Sequence, residues 1–347
     1  MLKLAKKYYS NRLCSKSSLK GRHFLTPDDV SPDEMKSLLM TSIDLKKCPE
    51  YLKTLEEKHI MVLLNEPCMR IQTSLHDTAS MLNMPLNVLI SSAWTTCQNP
   101  EDTGKLLSSA ADIIFCQSAR HSKVELFAKG ATTVPVINIS SCKFISLNIL
   151  SDLLTIHEHF GKLDGLTIAW VGHPCALLNT YLSIAPSLGI QMNFLCRCGG
   201  PVSPANLNTL QKQGNVYREN IRECKSLLET ISGAHVITTN QHSENNVKLR
   251  RTYLDEHADK NWVFLHTLPR SSVEVDEEIF NSKNNLLWKS FVNSKWICAA
   301  IISEFLDSFI NLLQHFFGLL FISGKGRNLF LPELLSKFLY ERLLMSV

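Results

Sequence analysis

Short apolar runs alternate with helical patterns through most of the chain. The runs are Ile60-Met61-Val62-Leu63-Leu64, Val88-Leu89-Ile90, Ile113-Ile114-Phe115 and Val134-Pro135-Val136-Ile137, then Leu166-Thr167-Ile168-Ala169-Trp170-Val171, Met192-Asn193-Phe194-Leu195, Val236-Ile237 and Val263-Phe264-Leu265. Runs this short and this free of polar interruption read as strands buried on both faces. Between them apolar residues recur at helical spacing. Thr26-Pro27-Asp28-Asp29 and Ser31-Pro32-Asp33-Glu34 carry helix-start chemistry, and Met35, Leu38, Leu39 and Ser42 then share one face. Strands alternating with helices predict an α/β fold of two domains, each a parallel sheet covered by helices. A longer helical pattern from Leu147 to Phe160 is expected to join them, as an interdomain helix.

The last part of the chain reads as helix. An apolar helix is expected near Trp296–Leu320, and Leu329, Phe330, Leu334, Leu335, Phe338, Leu339 and Leu343 recur at helical spacing beyond it. The stretch from Ser308 to Gly324 lacks formal charge but includes Asn311, Gln314 and His315. It falls short of the roughly 20 residues a membrane span needs, so a packed core helix is the expectation.

The chain has 347 residues, enough for two domains with cores of their own. Its formal net charge is +4. Much of that charge sits in Lys3, Lys6, Lys7, Arg12, Lys16, Lys20 and Arg22, and no acid precedes Asp28. A basic, Ser-containing, acid-free start has the composition of a mitochondrial transit peptide, which would place the protein in the mitochondrial matrix. The remaining body is nearly neutral, so no nucleic-acid partner is expected. The 11 cysteines are scattered without a C-x-x-C pair, which points to free thiols and away from a zinc site. His157 and His159 flank Glu158 but point apart on a helix. After Val171 comes Gly172-His173-Pro174-Cys175-Ala176-Leu177, which lacks the dinucleotide fingerprint. No cofactor and no membrane partner are expected.

Two motifs carry candidate chemistry. Glu66-Pro67-Cys68-Met69-Arg70-Ile71-Gln72 resembles the carbamoyl-phosphate motif E-P-S-T-R-T-R of the aspartate and ornithine carbamoyltransferases, with four positions changed. Phe264-Leu265-His266-Thr267-Leu268-Pro269-Arg270 resembles F-L-H-C-L-P-R, with one. Further blocks follow in the family's order: Gly21 to Thr26, Glu101-Asp102-Thr103 with Leu106-Leu107, Leu154 to Phe160, Leu163 to Gly172, and Trp262 to Phe280. From Gly21 to about Ile302 the chain thus resembles ornithine carbamoyltransferase. The resemblance implies a basic leader at 1–20, a carbamoyl-phosphate-binding-type domain at 21–150, an ornithine-binding-type domain at 151–302 and a C-terminal helical extension at 303–347. It also implies a homotrimer, or a mixed trimer with an active relative.

The chemistry so implied is attack of an amine on the carbonyl of carbamoyl phosphate, with phosphate expelled. Such a site needs cations and backbone N–H groups around a dianion, and donors on the carbonyl oxygen. On the family pattern, carbamoyl phosphate falls to Arg70 and the Leu268 carbonyl, with the aligned positions Cys68, Met69, Ile71, Gln117, Ile145, Asn148 and Ser294. Ornithine falls to Cys175, Ala176, Asn240, Glu244 and Asn245, and the catalytic histidine–cysteine pair to His266 and Thr267. Arginines of the family pattern are missing at 117 and 294, a histidine at 145 and a carboxylate at 240. A hydrogen bond to a charged group contributes ~1.5–3 kcal/mol, so the two arginines alone represent roughly 3–6 kcal/mol. Two readings stand. One is an inactive or strongly weakened homologue that keeps the fold. The other is an active carbamoyltransferase with an altered amino-acid acceptor, using Arg70, His266 and Leu268.

Overall fold

The computed structural model describes residues 18–47, 58–96, 98–196, 219–241 and 247–306. Most of the leader, the segment beyond 306, and Glu244 and Asn245 lie outside the described residues.

Two parallel sheets carry the fold. The first has strands β1 (Ile60–Leu64), β2 (Leu86–Ile90), β3 (Ile113–Ser118) and β4 (Val136–Ser141) in the order β2-β1-β3-β4. The second has β5 (Thr167–Val171), β6 (Gln191–Leu195), β7 (Ile221–Glu223), β8 (Val236–Thr239) and β9 (Val263–His266) in the order β7-β6-β5-β8-β9. All these pairings are parallel. Every residue of β1, β8 and β9 is buried, which is why these strands read as unbroken apolar runs. The fold class expected from the apolar pattern is therefore the one observed. The edge strand β7 was not legible: three residues long and mostly exposed, it has no apolar run to announce it.

Helices cover the sheets. Those that position the site are α1 (Pro32–Lys47), α2 (Met69–Leu82), α3 (Pro100–Leu107), α4 (His121–Gly130), α5 (Ser146–Phe160), α6 (Ala176–Ile184) and α7 (Leu287–Leu306). α1 begins as its sequence dictates. Ser31 Oγ accepts from the Glu34 amide, and the Glu34 carboxylate accepts from the Ser31 amide at 2.8 Å. Asp33 and Glu34 then face the positive helix end, and Lys46 and Lys47 the negative one. α3 and α4 pack where Gly104 and Gly130 bring backbones together. A Cβ on Gly130 would sit 1.9 Å from the Glu101 carbonyl oxygen.

The junction between the two sheets is built by α5 and α7, with α1 and α2 packed on α7. α7 starts at Leu287, ahead of the expected Trp296. Its first turns bury Ser290, Asn293 and Ser294 beside exposed Trp288 and Val292, so hydrophobicity does not mark the buried face. Those polar side chains are paired. Asn293 donates to Thr155 Oγ1 at 2.9 Å and to Glu158 at 3.1 Å, and accepts from Lys46 at 2.8 Å. Glu158 also holds Lys46 at 2.7 Å and Lys289 at 3.2 Å. Among the described residues no helix is long and apolar enough to cross a membrane.

Candidate active site

In open parallel sheets, ligands bind beyond the carboxyl ends of the strands, where strand order reverses. Here that reversal lies between β1 and β3 in one sheet and between β5 and β8 in the other. Most of the described residues singled out from sequence stand at or just after the strand ends, and Ser294 lies on α7.

The turn after β1 leads to Cys68, which occupies the N-cap of α2 with φ −134° and ψ 103° and gives no side-chain cap. Met69 is 85% exposed, while Ile71 is buried. Neither offers a hydroxyl, so what this helix end keeps for an anion is its backbone N–H groups. Arg70 turns toward the junction. Its Nη2 donates to Ser290 Oγ at 3.4 Å, and its Nε is buried without a hydrogen-bond partner. Ser290 Oγ donates in turn to Asp152 Oδ1, and the Tyr181 hydroxyl donates to Asp152 Oδ2 at 2.7 Å. Burial pushes the Asp152 carboxyl up; the Arg70 charge is the strongest opposing influence, ahead of the two hydroxyls. Burial and then Asp152 push Tyr181 well above its ordinary value.

Gln117 lies at a register shift late in β3, with a buried Oε1 that has no hydrogen-bond partner. After β4, the Ser141 hydroxyl accepts from the Asn138 amide at 3.2 Å and the Phe144 amide at 3.2 Å, and lies 2.9 Å from His121 Nδ1. That turn delivers Ile145 to the N-cap of α5, where its amide donates to Thr180 Oγ1 at 2.9 Å. Asn148 follows half-buried in the first turn of α5. Ser294 is buried on α7, its hydroxyl donating to the Ser290 carbonyl at 3.2 Å.

In the second sheet, Asn240 follows β8 and grips the loop after β5. Its Oδ1 accepts from the His173 amide at 2.9 Å, and its Nδ2 donates to the His173 carbonyl at 3.3 Å. A side chain at Gly172 would collide with it, since a Cβ there would lie 2.2 Å from Asn240 Oδ1. Cys175 caps α6 in extended conformation and Ala176 opens the helix. At the end of β9, His266 Nδ1 accepts from the Leu268 amide at 2.9 Å, which leaves its proton on Nε2. That nitrogen lies 3.3 Å from Glu274 Oε1, with both side chains fully buried. Burial pushes the Glu274 carboxyl up, but the hydroxyl and amide of Ser271, aided by His266, outweigh it and hold it low. Thr267 is half-buried. Leu268 is 41% exposed at φ +42°, before a cis peptide bond to Pro269. Arg270 is engaged elsewhere: it pairs with Glu277 at 2.9 Å and covers the Phe280 ring at 3.9 Å.

The structure thus keeps the His266–Leu268 turn, and Arg70 Nη2 and the Asn240 amide are bonded to the protein itself, while Arg70 Nε and Gln117 Oε1 are buried without a hydrogen-bond partner. The Asp152–Tyr181–Ser290 cluster was not anticipated. Its one sequence signal was an acid, Asp152, inside the apolar pattern from Leu147 to Ile156. Sequence separation of 138 residues hid its link to Ser290.

Comparison with known proteins agrees with this fold. Residues 22–158 match the family described as aspartate/ornithine carbamoyltransferase, carbamoyl-P binding domain. Residues 164–305 match its Asp/Orn binding domain. The mitochondrial ornithine transcarbamylase of Gallus gallus is 30% identical, with 85% of this chain and 89% of that protein covered. The mitochondrial ornithine carbamoyltransferase of Aquarana catesbeiana is 28% identical over 84% and 89% of the two chains. The crystal structure of a mitochondrial ornithine carbamoyltransferase from Coccidioides immitis superposes with a TM-score of 0.76 at 25% identity, covering 83% of this chain and 98% of that one. With both domain profiles matched in order over most of its length, the chain belongs to the aspartate/ornithine carbamoyltransferase family.

Proposed function

We propose that this chain is a carbamoyltransferase homologue whose site no longer transfers a carbamoyl group at an enzymic rate, and that it acts through its fold. The reaction forms a C–N bond at the carbamoyl carbon while the C–O bond to phosphate breaks and its electron pair leaves with the phosphate. The departing dianion needs cations, and the carbonyl oxygen needs donors. The observation that supports the reading is the direction of Arg70. It is the cation left among the aligned clamp positions, and it is bonded to Ser290 above a buried carboxylate. Gln117 and Ser294 bring no charge, Ile145 no donor, and the Asn240 amide is engaged by the His173 peptide.

The test is citrulline formation by the purified chain, leader removed, at saturating carbamoyl phosphate and ornithine. Background rates are expected. Turnover within tenfold of a typical ~10 s⁻¹ enzyme would overturn the proposal.

A second reading, an active enzyme with another amino-acid acceptor, draws on the ordered His266–Leu268 turn. Phosphate release from carbamoyl phosphate with a panel of amino acids would reveal it. The same proposal takes the chain to be a mitochondrial matrix protein that forms a trimer with itself or with an active relative. Its support is the acid-free basic leader together with the two relatives named mitochondrial. Organelle import and the solution mass are the corresponding measurements.

A further inference from the structure

Four side chains from four helices meet in the junction: Arg70 from α2, Asp152 from α5, Tyr181 from α6 and Ser290 from α7. Their hydrogen bonds run in one direction. An Arg70 N–H donates to Ser290 Oγ, the Ser290 O–H passes to one oxygen of Asp152, and the Tyr181 O–H donates to the other. Asp152 is thereby an acceptor twice over, the role of an ionised carboxylate. It is 7% exposed, and Tyr181 beside it is fully buried. An ionised group in such a place needs a counter-charge, and Arg70 is the cation acting on it. We propose that Arg70 is a latch of the domain junction, tying α2 to α7 through Ser290 and neutralising the buried Asp152 carboxylate, and not an anion-binding residue of the cleft.

The latch has a pH signature that a ligand-binding arginine lacks. Among the described residues, Arg70 from α2 and Tyr181 from α6 are the titratable groups that face Asp152, with neutral Ser290 from α7. Burial raises the carboxyl above its ordinary 3.8, so its contribution to stability is present below that value and lost as pH rises through the folded one. Removing Arg70 removes the strongest opposing influence and drives the folded value higher still. The damage from losing Arg70 must therefore grow from acid to neutral pH, and must shrink when the carboxylate is deleted as well.

The experiment is a double-mutant cycle on the full chain: wild type, Arg70→Met, Asp152→Asn and the pair, each unfolded by heat at about pH 5 and pH 7.5. Loss of the cation that opposes a buried carboxylate through Ser290 is expected to lower the midpoint of Arg70→Met by roughly 5–10 °C near neutrality, and by less in acid. The pair should recover at least half of that loss. Calorimetry with inorganic phosphate should give the same weak or absent binding for wild type and Arg70→Met. Additive losses would overturn the latch, as would an unchanged midpoint, or phosphate binding that vanishes with Arg70. If Asp152→Asn does not fold, an Arg70→Met loss of equal size at both pH values overturns it. The inference deepens the reading of a non-catalytic site but is read on stability. Citrulline turnover would remove that reading and leave the cycle to be judged by its own coupling.

Discussion

Asn240 occupies the position where the family pattern has an aspartate, and its present bonds explain why the reverse change would be costly. An amide can accept from the His173 N–H and donate to the His173 carbonyl at once, as seen here at 2.9 and 3.3 Å. A carboxylate keeps the first bond and sets a negative oxygen against the second. Asn240→Asp is therefore expected to destabilise the chain by about 1–3 kcal/mol in urea titration, and to restore no activity by itself. An unchanged midpoint would mean that the loop after β5 is held by other contacts. His121 supplies a different residue-scale test. It is 1% exposed against Ser141 and Phe144, and burial lowers its pKa; Glu125, Lys143 and Asp29 act on it more weakly. A histidine held neutral in this way contributes stability above its ordinary 6.5, and that contribution is lost as pH falls from there toward the folded value. His121→Gln should flatten the decline of stability between about pH 6.5 and 5 by at most ~1.4 kcal/mol per pH unit. An undiminished slope would assign the decline to other histidines whose pKa desolvation lowers, such as half-buried His23.

At the scale of an element, α2 starts without a side-chain cap. Cys68 stands at its N-cap and accepts no hydrogen bond there, whereas serine at an N-cap accepts from the second or third helical amide. Cys68→Ser should raise stability by about 0.5–1 kcal/mol, measured as a shift of the urea midpoint without a change in slope. A loss instead would show that the thiol packs better than the hydroxyl bonds. Elements were the most legible part of this sequence, and the exceptions have physical causes. β1, β5 and β9 are buried on both faces, so burial writes itself into composition. β7 is a short edge, and the start of α7 buries Ser290 and Asn293, whose side chains find their partners on α5. Residue order carries no trace of a hydrogen bond closed between α5 and α7.

For the whole molecule, the turns that carry the candidate residues were legible in the sequence, and the bonding partners of those residues were not. Most of the described aligned residues follow strand ends, because within each parallel sheet the turn after every strand leaves from the same edge. The sequence could not say which of them are already engaged by the protein: Arg70 by Ser290, Asn240 by His173, and Ile145 through its amide by Thr180. This distribution decides what a local repair can achieve. Cys68→Ser, Met69→Thr and Gln72→Arg together rebuild most of the clamp at one helix end. They are tolerable there, since Met69 is 85% exposed and buried Ile71 is left alone. Restoring one arginine and two hydroxyls around a dianion should tighten inorganic phosphate binding by roughly 10–100-fold in calorimetry. Citrulline formation should stay at background. On the proposed reading the carbonyl oxygen still lacks a donor at Ile145 and a second cation is absent at Gln117, and Ser294 is 1% exposed, so an arginine there would have to open the junction. On the reading proposed above, three missing functions on three other elements act together in one transition state, so repairing a single element leaves the barrier nearly where it was. If the triple variant turned over within tenfold of about 10 s⁻¹, the phosphate clamp alone would have been the defect, and the remaining substitutions would have to be read as a change of acceptor.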